Sequence, residues 1–302
     1  MIKIANPANT IDIIKKYGFN FQKKFGQNFL IDTHVLEKIS QASGVGENDL
    51  VIEIGPGIGA LTQYLAIGAK NVIAIEIDKN LLPILKETLA DYKNISIINA
   101  DFLKVNLETL IGDAKEKYGE FENIRIVANL PYYITTPIIM SVLESHIHID
   151  SITVMIQKEV ADRMQAMPGN KDYGALSLAV QYYSKPYVVA YVPPNCFIPR
   201  PNVGSSVIRL DIFKIKPIDV VDEELMFKLI RAGFNQRRKT LVNSISNFEG
   251  LSFSKDEIVH ALSLMGKSEK IRGEALTLFE FALFSDYLGK MAVKPGQGRE
   301  NE

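Results

Sequence analysis

From residue 50 the chain alternates short apolar runs with amphipathic stretches, and this alternation limits the fold more than any other feature. "LVIEI" (50–54) leads through a glycine-rich turn into "ALTQYLAIG". "NVIAIEID" (71–78), "NISIINAD" (94–101), "IRIVANLP" (124–131) and "SITVMIQ" (151–157) follow, each separated from the next by a helical pattern. Strand and helix repeated in this way build a parallel sheet covered on both faces. "YVVAYV" (187–192) and "SSVIRLDIF" (205–213) have no long helix between them and predict an antiparallel pair at the end of the sheet. "KIKPIDVV" (214–221) reads as a linker, and beyond it the apolar spacing turns helical. Ser254 with Glu257 matches a capping box, and Gly266 and Gly289 are expected at helix ends. With 302 residues there is room for one large domain and a smaller helical one.

Composition narrows the class further. Hydrophobic residues make up 47 % and charged residues 23 %, as in ordinary globular proteins. No apolar run approaches the roughly 20 residues of a membrane helix, and the first residues lack a signal-peptide core. The single cysteine, Cys196, excludes an internal disulfide and argues against a zinc site. Together these predict a cytoplasmic protein. A net charge of −1 gives no bulk attraction for nucleic acid, yet two local basic clusters stand out. One is Lys15, Lys16, Lys23 and Lys24; the other is "NQRRKT" at 235–240. Read alone, the second is a solvated helix face.

Chemistry concentrates at the strand ends. Gly55, Gly57 and Gly59 follow a strand and open a helix, so a ligand can approach the backbone and meet helix-end N–H groups. The same turn satisfies a loose dinucleotide pattern, which keeps NAD open as a rival cofactor. Glu76 closes the second strand, where a carboxylate can accept both ribose hydroxyls. Asp101 closes the third, followed by Phe102; an acid beside an aromatic ring suits an adenine. Taken as a set, these favour S-adenosylmethionine over NAD. The fourth strand leaves through Asn129, Leu130, Pro131 and Tyr132, with Pro131 disfavouring helix at Leu130. The Asn129 side-chain oxygen and the Leu130 carbonyl are two acceptors suited to an adenine amino group. Tyr132 is placed to stack on a flipped-out base. An amide is no strong base, so such a site would work by positioning and polarisation.

The chain resembles the KsgA-type ribosomal RNA adenine dimethyltransferases. Seven blocks match in order: "KKFGQNFLID" (23–32), "EIGPGIGALT", "ANLPYYITTP", "MIQKEVADRM" (155–164), "YGALSLAVQYY" (173–183), "FIPRPNVGSSV" (197–207) and "GFNQRRKTL" (233–241). The resemblance runs from about residue 10 to 289. It implies a Rossmann-like α/β fold, a seven-stranded class I methyltransferase domain with a small C-terminal helical domain. It implies that Asn28 and Leu30 close over the methionine end of S-adenosylmethionine, and that Phe197 faces Tyr132 across the target adenine. Read alone, Phe197 would be core. It also implies that Arg237, Arg238 and Lys239 meet RNA phosphates. Asn202 and Gly204 depart from the family's usual lysine and aspartate, which puts loop-edge contacts in question.

The resulting expectation is an N-terminal extension (1–22), a methyltransferase domain (23–213), the linker, a helical RNA-docking domain (222–290) and a disordered tail (291–302). The implied reaction dimethylates two neighbouring adenosines near the 3′ end of small-subunit ribosomal RNA, within an assembling subunit. A monomer is expected, with no metal and no membrane. Three rival readings are a large-subunit RNA methyltransferase, a binding protein with a dead site, and an NAD-dependent oxidoreductase.

Overall fold

The computed structural model describes residues 4–292, so the tail expected at 291–302 lies almost wholly outside the described residues. The chain divides into two compact units. The first comprises residues up to Asp162 together with Ser184–Ile212; the second comprises Arg163–Tyr183 and the chain from Phe213 onward. Residues 163–183 thus cluster with the helical unit, although they precede the sheet's last two strands in sequence.

The first unit begins with α1 (Pro7–Lys16), capped by the Asn6 side chain. A short strand β1 (Phe29–Leu30) precedes α2 (Thr33–Ser43). Asp32 caps α2 by accepting from the His34 and Val35 N–H groups, and Gly44 ends it in the left-handed conformation. Then come β2 (Leu50–Ile54), α3 (Ala60–Gly68), β3 (Asn71–Glu76), α4 (Leu82–Thr88), β4 (Ile95–Asn99), α5 (Leu107–Tyr118), β5 (Ile124–Asn129), α6 (Thr135–Leu143) and β6 (Ser151–Gln157). After α7 (Lys158–Gln165) and α8 (Ala175–Tyr183) come β7 (Ser184–Val192), the two-residue β8 (Phe197–Ile198) and β9 (Ser205–Ile212).

Seven strands form one sheet in the order β4-β3-β2-β5-β6-β9-β7, with β9 antiparallel to both neighbours. The predicted α/β fold and its antiparallel end are therefore present. Every residue of β2 and β3 is buried, as expected for central parallel strands covered on both faces. The third strand ends at Asn99, so Asp101 lies beyond it and caps a short 3₁₀ turn, Phe102–Lys104. β1 and β8 make a separate antiparallel pair, Phe29 with Ile198 and Leu30 with Phe197. Phe19, Phe21 and Phe29 pack with ring centroids 5.1–5.7 Å apart and fasten the segment after α1 to the core.

The second unit is helical, with α9 (Glu223–Asn235), α10 (Leu241–Ser246), α11 (Lys255–Leu264) and α12 (Leu278–Ala292). The Ser254–Glu257 capping box is formed. Gly289, expected at a helix end, lies inside α12. "QRRK" is a turn rather than a helix face: α9 stops at Asn235, and Thr240 caps α10 by accepting from the Asn243 N–H. Those residues form the connection between α9 and α10.

At the end of the sheet opposite the glycine turn sits a buried ion pair. Arg125 Nε donates to Asp49 Oδ2 at 2.7 Å, Asn123 Nδ2 to Oδ1 at 2.7 Å, and the Gly46 N–H to Oδ2 at 2.9 Å. Burial alone would raise the Asp49 pKa; these hydrogen bonds outweigh it and hold the carboxyl below its usual range. Asp49 is 1 % exposed, so Arg125→Met strands a buried charge, at a cost of about 3–5 kcal/mol. The wild-type contribution is full above the unfolded carboxylate pKa and is lost as pH falls through the depressed folded value. In the variant, protonation instead relieves the stranded charge. Urea unfolding should show a deficit that shrinks from pH 7 to pH 4; a constant deficit would mean Asp49 is not what Arg125 neutralises.

Candidate active site

The residues leaving β2, β3 and β5, together with the segment around β1, build one cleft. The chain leaves β2 through Gly55 (φ +69°) and Gly57 (φ +62°), and Gly59 (φ +91°) starts α3. A Cβ at Gly57 would meet the Phe29 ring at 3.2 Å, in a backbone region that L side chains rarely adopt. The Gly57 N–H donates to Glu76 Oε2 at 3.3 Å, and the Asp78 N–H donates to Oε1 at 2.8 Å. One carboxylate at the end of β3 thus ties the glycine turn to its own strand exit. Glu76 is 4 % exposed, and burial pushes its pKa up to about 7 against those two hydrogen bonds.

Glu53, inside β2, also lines this cleft and is 1 % exposed. Burial pushes its pKa to about 8; the Thr62 hydroxyl opposes the rise and the Glu76 charge adds to it. Its Oε2 meets no hydrogen-bond partner among the described residues.

The segment between α1 and β1 straps the opposite wall. Gln27 accepts from the Gln22 N–H at 2.9 Å and donates from Nε2 to Asp78 Oδ2 at 2.7 Å, linking that segment to the end of β3. Asn28 donates to the Gly26 carbonyl at 3.0 Å. Asn129 donates from Nδ2 to the Asn28 carbonyl at 3.1 Å, which fixes the orientation of its amide. The Tyr132 hydroxyl and Ser205 Oγ share a hydrogen bond of 2.7 Å, and burial pushes the phenol above its ordinary pKa against that bond. Tyr133 is 58 % exposed at the cleft's rim.

The cleft encloses about 850 Å³ including space open to solvent. Asn28, Leu30, Gly55, Gly57, Glu76, Asn129, Leu130 and Tyr132, all singled out by sequence, line it together. Three others stand outside that lining. Asp101 caps the turn after β4 by accepting from the Leu103 N–H, and its charge helps raise the Tyr133 phenol. Phe102 is buried at 6 % exposure. Phe197 is 3 % exposed, pairs with Leu30 and belongs to the apolar core. In the second unit, Arg237 donates to the Lys171 and Tyr173 carbonyls at 2.8 and 3.1 Å, while Arg238 and Lys239 are exposed. Sequence reading missed Glu53, Gln27 and Ser205. The signal for Glu53 was there, an acid in the middle of the otherwise apolar "LVIEI".

A glycine turn with left-handed backbone, a helix start behind it and an acid closing the next strand suit an adenosine-containing cofactor. The buried Glu53 oxygen, without a partner among the described residues, leaves a further polar atom in the lining of the cleft. Fold and site together define a class I methyltransferase. The model for ribosomal RNA adenine dimethylases matches residues 18–279. Ribosomal RNA small subunit methyltransferase A of Lachnoclostridium phytofermentans is 59 % identical over 95 % of this chain and 98 % of its own length. The protein of the same name from Alkaliphilus oremlandii is 50 % identical over 96 % and 99 %. A dimethyladenosine transferase from Plasmodium falciparum superposes with a TM-score of 0.69 at 26 % identity, covering 85 % of this chain and 95 % of that one. The 23S rRNA methyltransferase ErmE shares the fold, with a TM-score of 0.64 at 24 % identity over 86 % and 99 %. The chain belongs to the ribosomal RNA adenine dimethylase family. Its methyl donor is S-adenosylmethionine.

Gly57→Ala tests the turn. Left-handed backbone costs a side chain about 1–2 kcal/mol, and the new methyl must also displace the Phe29 ring. Chemical denaturation should show a loss of at least that size, and calorimetry a weaker cofactor. Wild-type affinity in the variant would show that the ligand does not depend on this backbone.

Proposed function

We propose that the enzyme transfers methyl groups from S-adenosylmethionine to N6 of two neighbouring adenosines near the 3′ end of small-subunit ribosomal RNA. Each adenosine receives two methyls while the subunit assembles in the cytoplasm, and the enzyme acts as a monomer. The carrying observation is the Asn129 amide, anchored through Nδ2 on the Asn28 carbonyl at the end of β5. With its nitrogen held there, Oδ1 is the atom left to accept from the adenine amino group. The Leu130 carbonyl is the second acceptor. Two acceptors on the N–H bonds pull the delocalised lone pair toward tetrahedral geometry and aim it at the methyl group.

Tyr132, its hydroxyl tied to Ser205, offers a ring whose position is fixed before the base arrives. Phe197 offers the second aromatic face, and since that ring is buried in the core it must become exposed when the base binds. Glu76 takes the ribose hydroxyls, and Asp101 with Phe102 bounds the adenine end of the cofactor. Asn28 and Leu30 close over its methionine end. Arg238 and Lys239, exposed in the turn before α10, meet RNA phosphates, while Arg237 first serves that turn's own fold.

Incubation with unmethylated small subunits, followed by nucleoside mass spectrometry, should yield N6,N6-dimethyladenosine at two adjacent positions. Asn129→Ala should lower turnover by about 10²–10³-fold with cofactor affinity intact, as for other lost transition-state hydrogen bonds. Label on large-subunit RNA alone, or full activity in Asn129→Ala, would contradict the proposal. Replacing both Arg238 and Lys239 by Ala should reduce the log–log salt slope of RNA binding by about 2, roughly one per phosphate contact. An unchanged slope would leave these two as solvated turn residues.

A further inference from the structure

Two carboxylates line the same wall of the cleft from adjacent parallel strands, Glu53 in β2 and Glu76 at the end of β3. Both are buried, at 1 and 4 % exposure. They differ in what holds them. Glu76 accepts two backbone N–H groups, whereas Glu53 Oε2 accepts from nothing among the described residues. Among the described residues, the groups that face the pair offer no positive charge. From just beyond β3 comes Asp78, itself a carboxylate and held by Gln27; from α3 comes the Thr62 hydroxyl; from the end of β5 comes the neutral Asn129. Burying two ionised carboxylates with no cation between them is costly, so the free enzyme keeps a proton on the pair.

Relying on the reading of this cleft as the S-adenosylmethionine site, we infer that the Glu53–Glu76 pair gives up a proton when the cationic cofactor binds and regains it when the neutral product replaces it. S-adenosylmethionine carries a sulfonium and an ammonium against one carboxylate, a net charge of +1. In the transfer, the adenine nitrogen's lone pair forms the new N–C bond. The C–S bonding pair stays on sulfur, and the amino proton leaves to water. The thioether product has lost the sulfonium charge. The pair therefore faces a cation before transfer and a net-neutral ligand after it. The free-enzyme values near 8 and 7 place this exchange within the physiological range. Glu53 acts here as a specificity-determining residue, favouring cofactor over spent product by charge rather than by shape.

The test is calorimetry of the full chain at pH 7 in phosphate and in Tris, whose different ionisation heats count the protons released. S-adenosylmethionine should release about 0.5–1 proton per site and S-adenosylhomocysteine clearly fewer. Cofactor affinity should rise about three- to tenfold from pH 6.5 to 7.5, with product affinity nearly flat. Glu53→Gln should remove most of the difference between the two ligands.

Unfolding of the free protein gives a readout without any ligand. A carboxyl whose folded pKa is raised loses stability as pH climbs from the unfolded value toward the folded one. Glu53→Gln should therefore be more stable than wild type at pH 8 and lose that advantage near pH 5. Equal proton counts for both ligands, or equal counts in wild type and Glu53→Gln, would overturn the inference while leaving the cofactor site in place. No binding of either ligand would overturn the site assignment along with it.

Discussion

The parallel pairing of β2 with β3 on one side and β5 on the other is the constraint on which the site depends. Leu50 is level with both Asn71 and Ile124, so the three strands run in step toward the same edge. Their exits then carry the glycine turn, Glu76 and Asn129 to one place. At this point chain order also reverses direction across the sheet, leaving a crevice of the kind in which open α/β sheets hold ligands. Hydrogen bonds from backbone to side chain complete it. Glu76 clamps the turn after β2 to the end of β3, and the Asn28 carbonyl clamps the amide at the end of β5.

The two ends of the sheet handle buried charge differently. At one end Asp49 is matched by Arg125 and stays ionised, fastening strand entries together. At the other, Glu53 and Glu76 have no cation facing them among the described residues, and burial pushes both pKa values up. The first arrangement is satisfied by the protein itself. The second is left incomplete by the described residues, and in the inferred proton exchange a positively charged ligand completes it. The same residue class therefore marks a structural anchor in one place and a binding site in the other, and the difference is whether the chain supplies the partner.

Much of this was legible in the sequence because the period of the apolar pattern reports burial directly. The five buried residues of "LVIEI" and the alternation with helices gave the sheet, and the glycines gave the turn. Residues at strand exits were readable because the fold fixes where exits go. What stayed hidden depends on contacts between distant segments. Ser205 holds Tyr132 across 73 residues, and Gln27 reaches Asp78 across 51. Helix periodicity misplaced "QRRK" because the Thr240 cap, not the apolar spacing, sets the start of α10. At Phe197 the resemblance and the local reading pull apart: the motif puts it at the target base, while the ring is 3 % exposed within the apolar core.

The decisive measurement is amide hydrogen exchange with and without S-adenosylmethionine, because strand exits and the segment before α2 line the cleft. Slowed exchange is expected in five segments, 26–30, 55–60, 76–78, 101–103 and 129–133, with the Gly57 amide among the most protected. Protection spread elsewhere in the sheet, or absent from the turn after β2 while the cofactor is bound, would contradict it.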